Sequence, residues 1–267
     1  MRQDAWDPDQ YHRFAAERSQ PFFDLLDLVQ PGPDGIRRAA DLGCGSGELT
    51  ALAAERFGVA EMVGVDSSPA MLAQAAAHAR PGLTFAAGDI GHWSSDGDHD
   101  LVLANASLQW VPDHPAVLAR WVAALRPGGQ LAVQVPANHD APSHTVAWEV
   151  ATSPEFAEAF GPTGPPPDPV AANVLRPEEY ATVLHELGLD RPHVRLQVYS
   201  HVLPSSRDVV EWVKGTTLTR FQRILPADAY AEFLARYEAR LLEVIGHHQP
   251  YLFPFKRILM WGQVRAA

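Results

Sequence analysis

Three glycines and three carboxylates form the most chemically suggestive pattern in this chain. Asp41-Leu42-Gly43-Cys44-Gly45-Ser46-Gly47 places alternate glycines between an apolar run and an amphipathic one. Such a turn lets the backbone bend tightly and approach a ligand closely. Asp41, just ahead of it, suits a ligand that carries an ammonium group. Asp66 closes the apolar run Glu61–Asp66, where a carboxylate can accept hydrogen bonds from both hydroxyls of a ribose. Asp89 follows Gly88 at the end of the next apolar run. A dinucleotide fingerprint requires G-x-G-x-x-G. Counting from Gly43 its last position is Glu48, and counting from Gly45 it is Thr50, so the spacing argues against a nicotinamide oxidoreductase. The plain alternative is a glycine-rich turn with no ligand. Against it stands the fall of the turn, Asp66 and Asp89 at successive strand ends, where open α/β sheets bind ligands.

The elements that must position these residues alternate. Strands are expected at residues 37–42, 61–66, 83–87, 100–104 and 130–135, and helices at 49–56, 70–79 and 117–125, with Pro69 at a helix start. Pro127-Gly128-Gly129 reads as a stop after the third helix. This alternation predicts right-handed βαβ units and a parallel sheet. Residues 137–176 read as irregular, with a Pro/Gly-rich loop at Gly161–Pro169. Helices at 177–187, 208–217 and 227–245 and strands at 193–202 and 255–264 complete the pattern. Two tracts, about 138–176 and 204–253, are too long for simple connections and read as insertions covering a site.

These motifs also carry a family resemblance. Asp-Leu-Gly-Cys-Gly-Ser-Gly (41–47), Val-Asp-Ser-Ser-Pro-Ala-Met-Leu (65–72) and Gly-Asp-Ile (88–90) resemble the class I S-adenosylmethionine-dependent methyltransferases. Within that family, five further stretches are similar to the trans-aconitate methyltransferase branch. They are Trp6–Phe14, Asn105–Asp113, Gln134–Asn138, Ala141–His144 and Glu211–Thr216. The resemblance implies S-adenosyl-L-methionine as cofactor. Gly43, Gly45 and Gly47 would line its methionine and sugar, and Asp41 would face its amino-acid end. Asp66 would bind the ribose hydroxyls beside Ser67, Asp89 and Ile90 would meet the adenine, and Asn105 would flank the cofactor. The stretch around Tyr11, Phe14 and Arg18 would fold over it. The resemblance implies one Rossmann-like α/β domain over residues 1–267, with a seven-stranded, mostly parallel sheet, an antiparallel last strand and helical cap insertions. Two departures from the branch fall in those insertions. Thr219-Arg220 stands where an arginine-proline pair is usual, and His247-His248-Gln249-Pro250 replaces a turn before the last strand.

A carboxylate acceptor is already ionised at neutral pH, so methyl transfer to it needs no general base. No catalytic acid or base is nominated, and catalysis reduces to positioning and exclusion of water. A small polycarboxylate such as trans-aconitate does require cations, for which arginine forks are suited. Arg18, His144, Lys214, Arg220 and Arg257 are the candidates. Each cation stands equally as a solvated surface charge, and His144 equally as a helix-start residue bonded to backbone. Arg257 lies beside Lys256 in an apolar strand, so one of the pair should point inward. Trp110 and Tyr199 could wall the pocket or pack in the core, whereas Trp121, Trp148 and Trp212 read as core. The pairs His139/His144 and His247/His248 make no metal set.

Composition sets the outer limits. The 267 residues carry a net charge of −11 and only two lysines, Lys214 and Lys256. Such a surface repels nucleic acid and anionic lipid, so a small anionic metabolite is the expected partner and needs a local cluster of cations. There is no run of 18 apolar residues, the first 14 residues are largely polar and contain no apolar stretch, and Cys44 is the one cysteine. These features predict a cytoplasmic protein without a membrane segment or disulfides. They leave oligomeric state open. The competing functions are a methyltransferase for another small C-, N- or O-acceptor and a cofactor-binding protein without catalysis.

Overall fold

This computed structural model describes residues 15–266, with side chains from residue 19 onward. Among them, no helix is long and apolar enough to cross a membrane. Helix α1 (Ala15–Leu26) leads into β1 (Arg38–Leu42), α2 (Glu48–Phe57), β2 (Glu61–Asp66), α3 (Pro69–Ala75), β3 (Leu83–Ala87), β4 (His99–Asn105), α4 (His114–Ala123) and β5 (Leu125–Pro136). Then come α5 (Pro142–Ala151), α6 (Pro154–Phe160), α7 (Pro169–Asn173), α8 (Pro177–Glu186), β6 (Leu189–Leu203), α9 (Asp208–Lys214), α10 (Thr219–Gln222), α11 (Ala227–Ile245) and β7 (Tyr251–Val264).

The seven strands form one sheet in the order β3-β2-β1-β4-β5-β7-β6. Pairs β1–β2, β1–β4, β2–β3 and β4–β5 are parallel, and β5–β7 is antiparallel. This is the expected seven-stranded, mostly parallel sheet with its antiparallel last strand. Central β4 is buried at His99–Ala104, as a strand covered on both faces must be. Edge strand β6 mixes exposed and buried positions along its length. Several boundaries move for identifiable reasons. The helix expected at 117–125 begins at His114, because Asp113 caps it by accepting from the Ala116 N–H and Pro115 occupies its first turn. Pro127–Gly129 does not precede β5 but lies inside it. Leu125 already pairs with His99, the ladder resumes at Leu101–Gln130, and the intervening residues form an irregularity. The helix after Pro69 stops at Ala75 and tightens to a 3₁₀ turn at Ala76–His78, ahead of Pro81-Gly82.

The chain divides into two compact units. One comprises Ser19–Pro136, Asn173–Gln197 and residues 257–266, and the other comprises Ala137–Ala172 and Val198–Lys256. The first has a core of sheet and helix side chains that includes Phe22, Leu25, Ala53, Leu101, Leu103, Leu259 and Trp261. The second is mostly helical and is built on an aromatic cluster of Phe156, Trp212, Phe221, Phe233, Tyr237 and Phe253. Here the expected irregular tract is corrected: residues 142–151, 154–160 and 169–173 are helical. Each helix has proline in its first turn, where the missing N–H has no intrahelical partner to lose. Read as breakers, those prolines hide the helices they start. The coil at 161–168 persists as expected. Trp148 is not core but 43% exposed, because α5 buries His144, Ala147, Val150 and Ala151 on a different face.

In the sheet-bearing unit, the buried carboxylate of Asp100 joins loop to sheet. Its Oδ2 accepts from the backbone N–H groups of Arg37 and Arg38, both at 2.8 Å, and its Oδ1 pairs with Arg126. Burial opposes ionisation, but these donors outweigh it and hold the carboxyl below the usual range. Its stabilisation is therefore present at neutral pH and lost as pH falls through the folded-state value. Asp100→Asn should cost about 2 kcal/mol at pH 7 by urea unfolding, with the deficit shrinking below pH 4.

Candidate functional site

The glycine turn is strapped to the neighbouring strand. The N–H groups of Gly43 and Cys44 both donate to the Val65 carbonyl, at 2.7 and 3.1 Å. The Asp66 carboxylate accepts from Gly45 N at 2.9 Å and from Ser68 N at 2.8 Å. The Asp66 carbonyl accepts from Gly88 N at 3.0 Å. Gly43 has φ +86°, and a Cβ there would lie 2.2 Å from Ser107 Cβ. The Ser107 hydroxyl in turn donates to the Leu42 carbonyl at 2.5 Å. Gly47, at φ +78°, caps α2, and a Cβ on it would lie 2.7 Å from the Phe85 ring. Glycine is therefore required at both positions by backbone sign and by space. At Gly45 an added Cβ would meet nothing within 4 Å, so the turn is open there.

The two acidic residues expected at this turn differ in setting. Asp66 is half-buried, and each of its oxygens retains a lone pair beyond the backbone bonds. Asp41 is 3% exposed, and its Oδ2 accepts from the Thr50 hydroxyl at 2.6 Å. Burial pushes its carboxyl up to about 6, against the opposing bond from Thr50 and with added repulsion from Asp66. Cys44 donates weakly to the Gly45 carbonyl, and burial, with Asp41 and Asp66 nearby, pushes its thiol far up.

The remaining expected cofactor contacts follow along the strand ends. Asp66 is level with Ala87, which puts Asp89 two residues beyond β3. Asp89 is exposed; it bonds His92 at 2.8 Å and accepts from Gly91 N at 2.8 Å, which hold its carboxyl below the usual range. Ser67 is exposed and Ile90 half-buried. Asn105, at the end of β4, accepts from Gln134 Nε2 at 2.7 Å. Arg257 Nη1 reaches Gln134 Oε1 at 3.4 Å, so Asn105, Gln134 and Arg257 form one polar row across β4, β5 and β7. Trp110, in a 3₁₀ turn after β4, is 50% exposed. Tyr11 and Phe14 lie outside the described residues, as does the side chain of Arg18.

The helical unit holds the other acceptor candidates. His144 is buried, its Nδ1 bonded to Ser143 Oγ at 3.1 Å and its Nε2 to Thr217 Oγ1 at 2.9 Å. Burial pushes its pKa down to about 4, so it is neutral at pH 7. Arg220 faces Asp168 at 3.2 Å, while Lys214 pairs with Glu211 at 2.5 Å. Lys256 pairs with Asp140 at 2.6 Å for Oδ2. Tyr199 is buried and stacks with His201. Sequence reasoning missed Asp168, Thr217 and Thr50. Only Thr50 left a signal, one turn into the helix that follows the glycines.

Residues 39–129 match the family described as a methyltransferase domain. Over 95% of its length the chain is 45% identical to a trans-aconitate 2-methyltransferase of Deinococcus radiodurans, covering 96% of that protein. It is 41% identical to one from Streptomyces avermitilis, with 95% of each covered. The chain belongs to the trans-aconitate 2-methyltransferase family. Among solved structures, the YcgJ protein of Bacillus subtilis superposes with a TM-score of 0.58 at 14% identity, covering 95% of this chain and 100% of that one. A Haemonchus contortus phosphoethanolamine N-methyltransferase superposes at 0.53 and 17% identity, covering 96% and 53%. At these identities the likeness shows a shared methyltransferase fold.

Two mutations separate the functions of the acidic pair in this methyltransferase. If Asp66 accepts from the ribose as expected from the sequence, Asp66→Ala should leave the fold intact and weaken S-adenosylhomocysteine binding by about tenfold to a hundredfold in titration calorimetry, since it also removes the Gly45 N–H acceptor. Asp41 acts on stability with the opposite sign to Asp100. Its folded-state value is raised, so the folded chain keeps the extra proton and loses stability as pH rises from about 4 through 6. Asp41→Asn should remove about 3 kcal/mol of that decline, read as the difference between urea unfolding at pH 4.5 and pH 7.5.

Proposed function

We propose that this methyltransferase transfers the methyl group of S-adenosyl-L-methionine to a carboxylate of trans-aconitate or a similar small polycarboxylate. The observation that carries this reading is the extent of the likeness to the curated relatives. It spans 95% of the chain and so includes segments 137–172 and 198–256 as well as the donor turn. The turn suits the cofactor on its own terms. Gly45 presents open backbone, Asp66 can accept from a hydroxyl pair, and Asp41, poised near 6, gains from an ammonium group that favours its anion. Asp89 and Ile90 would meet the adenine. When bound, the cofactor supplies a methyl carbon made electrophilic by its sulfonium.

The chain's own part is to hold and orient. An acceptor carboxylate is already an anion, so its oxygen forms the new C–O bond as the S–CH₃ bond breaks, and no proton has to move. His144, held neutral between Ser143 and Thr217, fits a positioning role and not that of a cation. Arg257, tied through Gln134 to Asn105, fits the carboxylate end of an acceptor. Trp110 is free to cover it. Tyr199 and Lys214 are engaged within the helical unit, and their part in acceptor binding would run through that packing. We assign this helical unit the selection of the acceptor. Cytoplasmic action is part of the same reading, supported by a metabolite acceptor and a single cysteine kept as a thiol.

The test uses methyl-labelled cofactor with trans-aconitate. A monomethyl ester releases its label as methanol in mild base. Label that survives base would place the methyl on carbon or nitrogen and overturn the ester reading.

A further inference from the structure

The helical unit buries an arginine whose charge is matched by one carboxylate contact while the rest of its fork is unfilled. The Arg220 side chain is 9% exposed, and its Nη1 lies 3.2 Å from Oδ2 of Asp168, itself 11% exposed. The guanidinium carbon sits 4.5 Å from the centre of the Phe221 ring. Beyond the one contact with Asp168, Nε and Nη2 are buried without a hydrogen-bond acceptor. A guanidinium carries five N–H donors in a planar fork. Leaving them unmade in a buried place is costly, so a folded protein rarely keeps such an arrangement without use.

The neighbours are committed elsewhere. Both ring nitrogens of His144 are taken by Ser143 and Thr217, and the Tyr237 hydroxyl donates to the Ser143 carbonyl at 2.9 Å. Asp168 Oδ1 accepts from Val170 N at 2.9 Å, which anchors that carboxylate at the start of α7. The contact from Asp168 therefore fixes the arginine's charge in place and leaves the fork unfilled. A planar carboxylate matches that fork in shape, donor count and sign.

We propose that Arg220 is a specificity-determining residue that takes one non-reacting carboxylate of the acceptor, with Asp168 as the positioning residue that holds its fork. This rests on the reading of the acceptor as a small polycarboxylate. Arg220 and Asp168 together are neutral, so the cluster takes a single carboxylate, and a second one must be met by other residues.

Three variants test it: Arg220→Lys, which keeps the charge and loses the fork; Arg220→Met with Asp168→Asn, which removes both charges at once; and Asp168→Asn alone. Each is first checked for S-adenosylhomocysteine affinity by calorimetry, expected to stay near wild type, and for melting temperature, expected to stay near wild type in the double variant and to fall in Asp168→Asn, which strips a buried guanidinium of its counter-charge. KM and kcat are then measured with trans-aconitate, and stabilisation of the protein is measured with tricarballylate, a saturated tricarboxylate. The two Arg220 variants should raise KM by about tenfold to a hundredfold with a smaller change in kcat, and lose most of the tricarballylate stabilisation. Asp168→Asn alone should raise KM several-fold and keep part of that stabilisation. A folded Arg220 variant with unchanged KM and unchanged stabilisation overturns the proposal, as does one that loses cofactor affinity in proportion. If wild type fails to methylate trans-aconitate but tricarballylate stabilises it through Arg220, trans-aconitate is not the acceptor and the carboxylate site at Arg220 stands. A wild-type chain that responds to neither compound overturns both.

Discussion

One dipeptide, Val65-Asp66, organises the donor side of this protein. The Val65 carbonyl receives two N–H groups from the glycine turn, and the Asp66 carboxylate receives a third from the same turn and one from its own loop. The Asp66 carbonyl then receives Gly88, at the head of the loop that carries Asp89. Three loops from three adjacent parallel strands are thus fastened at one place. Because the register of β1, β2 and β3 fixes where those strands end, the sheet itself sets the spacing of the acidic groups. A ligand meeting this edge finds its partners already arranged, and little ordering remains to oppose binding.

The two compact units separate two recognition problems. The donor edge depends on backbone conformation, on glycine and on carboxylates, all within the sheet-bearing unit. The other unit is built on helices and aromatic side chains and buries Arg220 against the Phe221 ring. A chain with a net charge of −11 repels an anionic acceptor at long range. On the proposed reading, recognition would come from desolvated contacts at short range, where a guanidinium gains most.

Much of the sheet was legible because its strands are apolar runs closed by glycine or aspartate. Strand β2 and helix α11 have the bounds that their sequence patterns predict. The helical unit was harder to read because proline has two meanings. Pro142, Pro154 and Pro169 start helices, and single-sequence reasoning takes a proline-rich tract as loop. Pro127-Gly128-Gly129 shows the reverse case, a turn signal absorbed into an irregular strand. The glycine turn and its acids were legible because local spacing carries their chemistry. The pairing of Arg220 with Asp168 was not, since 52 residues separate them and only tertiary folding brings the loop back. Nor did Asp41 reveal its burial, because an acid before a turn looks the same whether it faces solvent or lies beneath the backbone.

Cys44 gives the donor turn one more property. A methyl sulfonium is an alkylating agent, and the turn that would cradle it contains the only thiol in the chain. The nucleophilic form of cysteine is the thiolate. Burial and the two nearby carboxylates keep Cys44 protonated at any physiological pH. Burial first, and then the same acids that would welcome a cationic cofactor, would therefore disfavour attack by this thiol on a bound sulfonium. A turn that cradled such a reagent would then keep its own thiol out of the reaction.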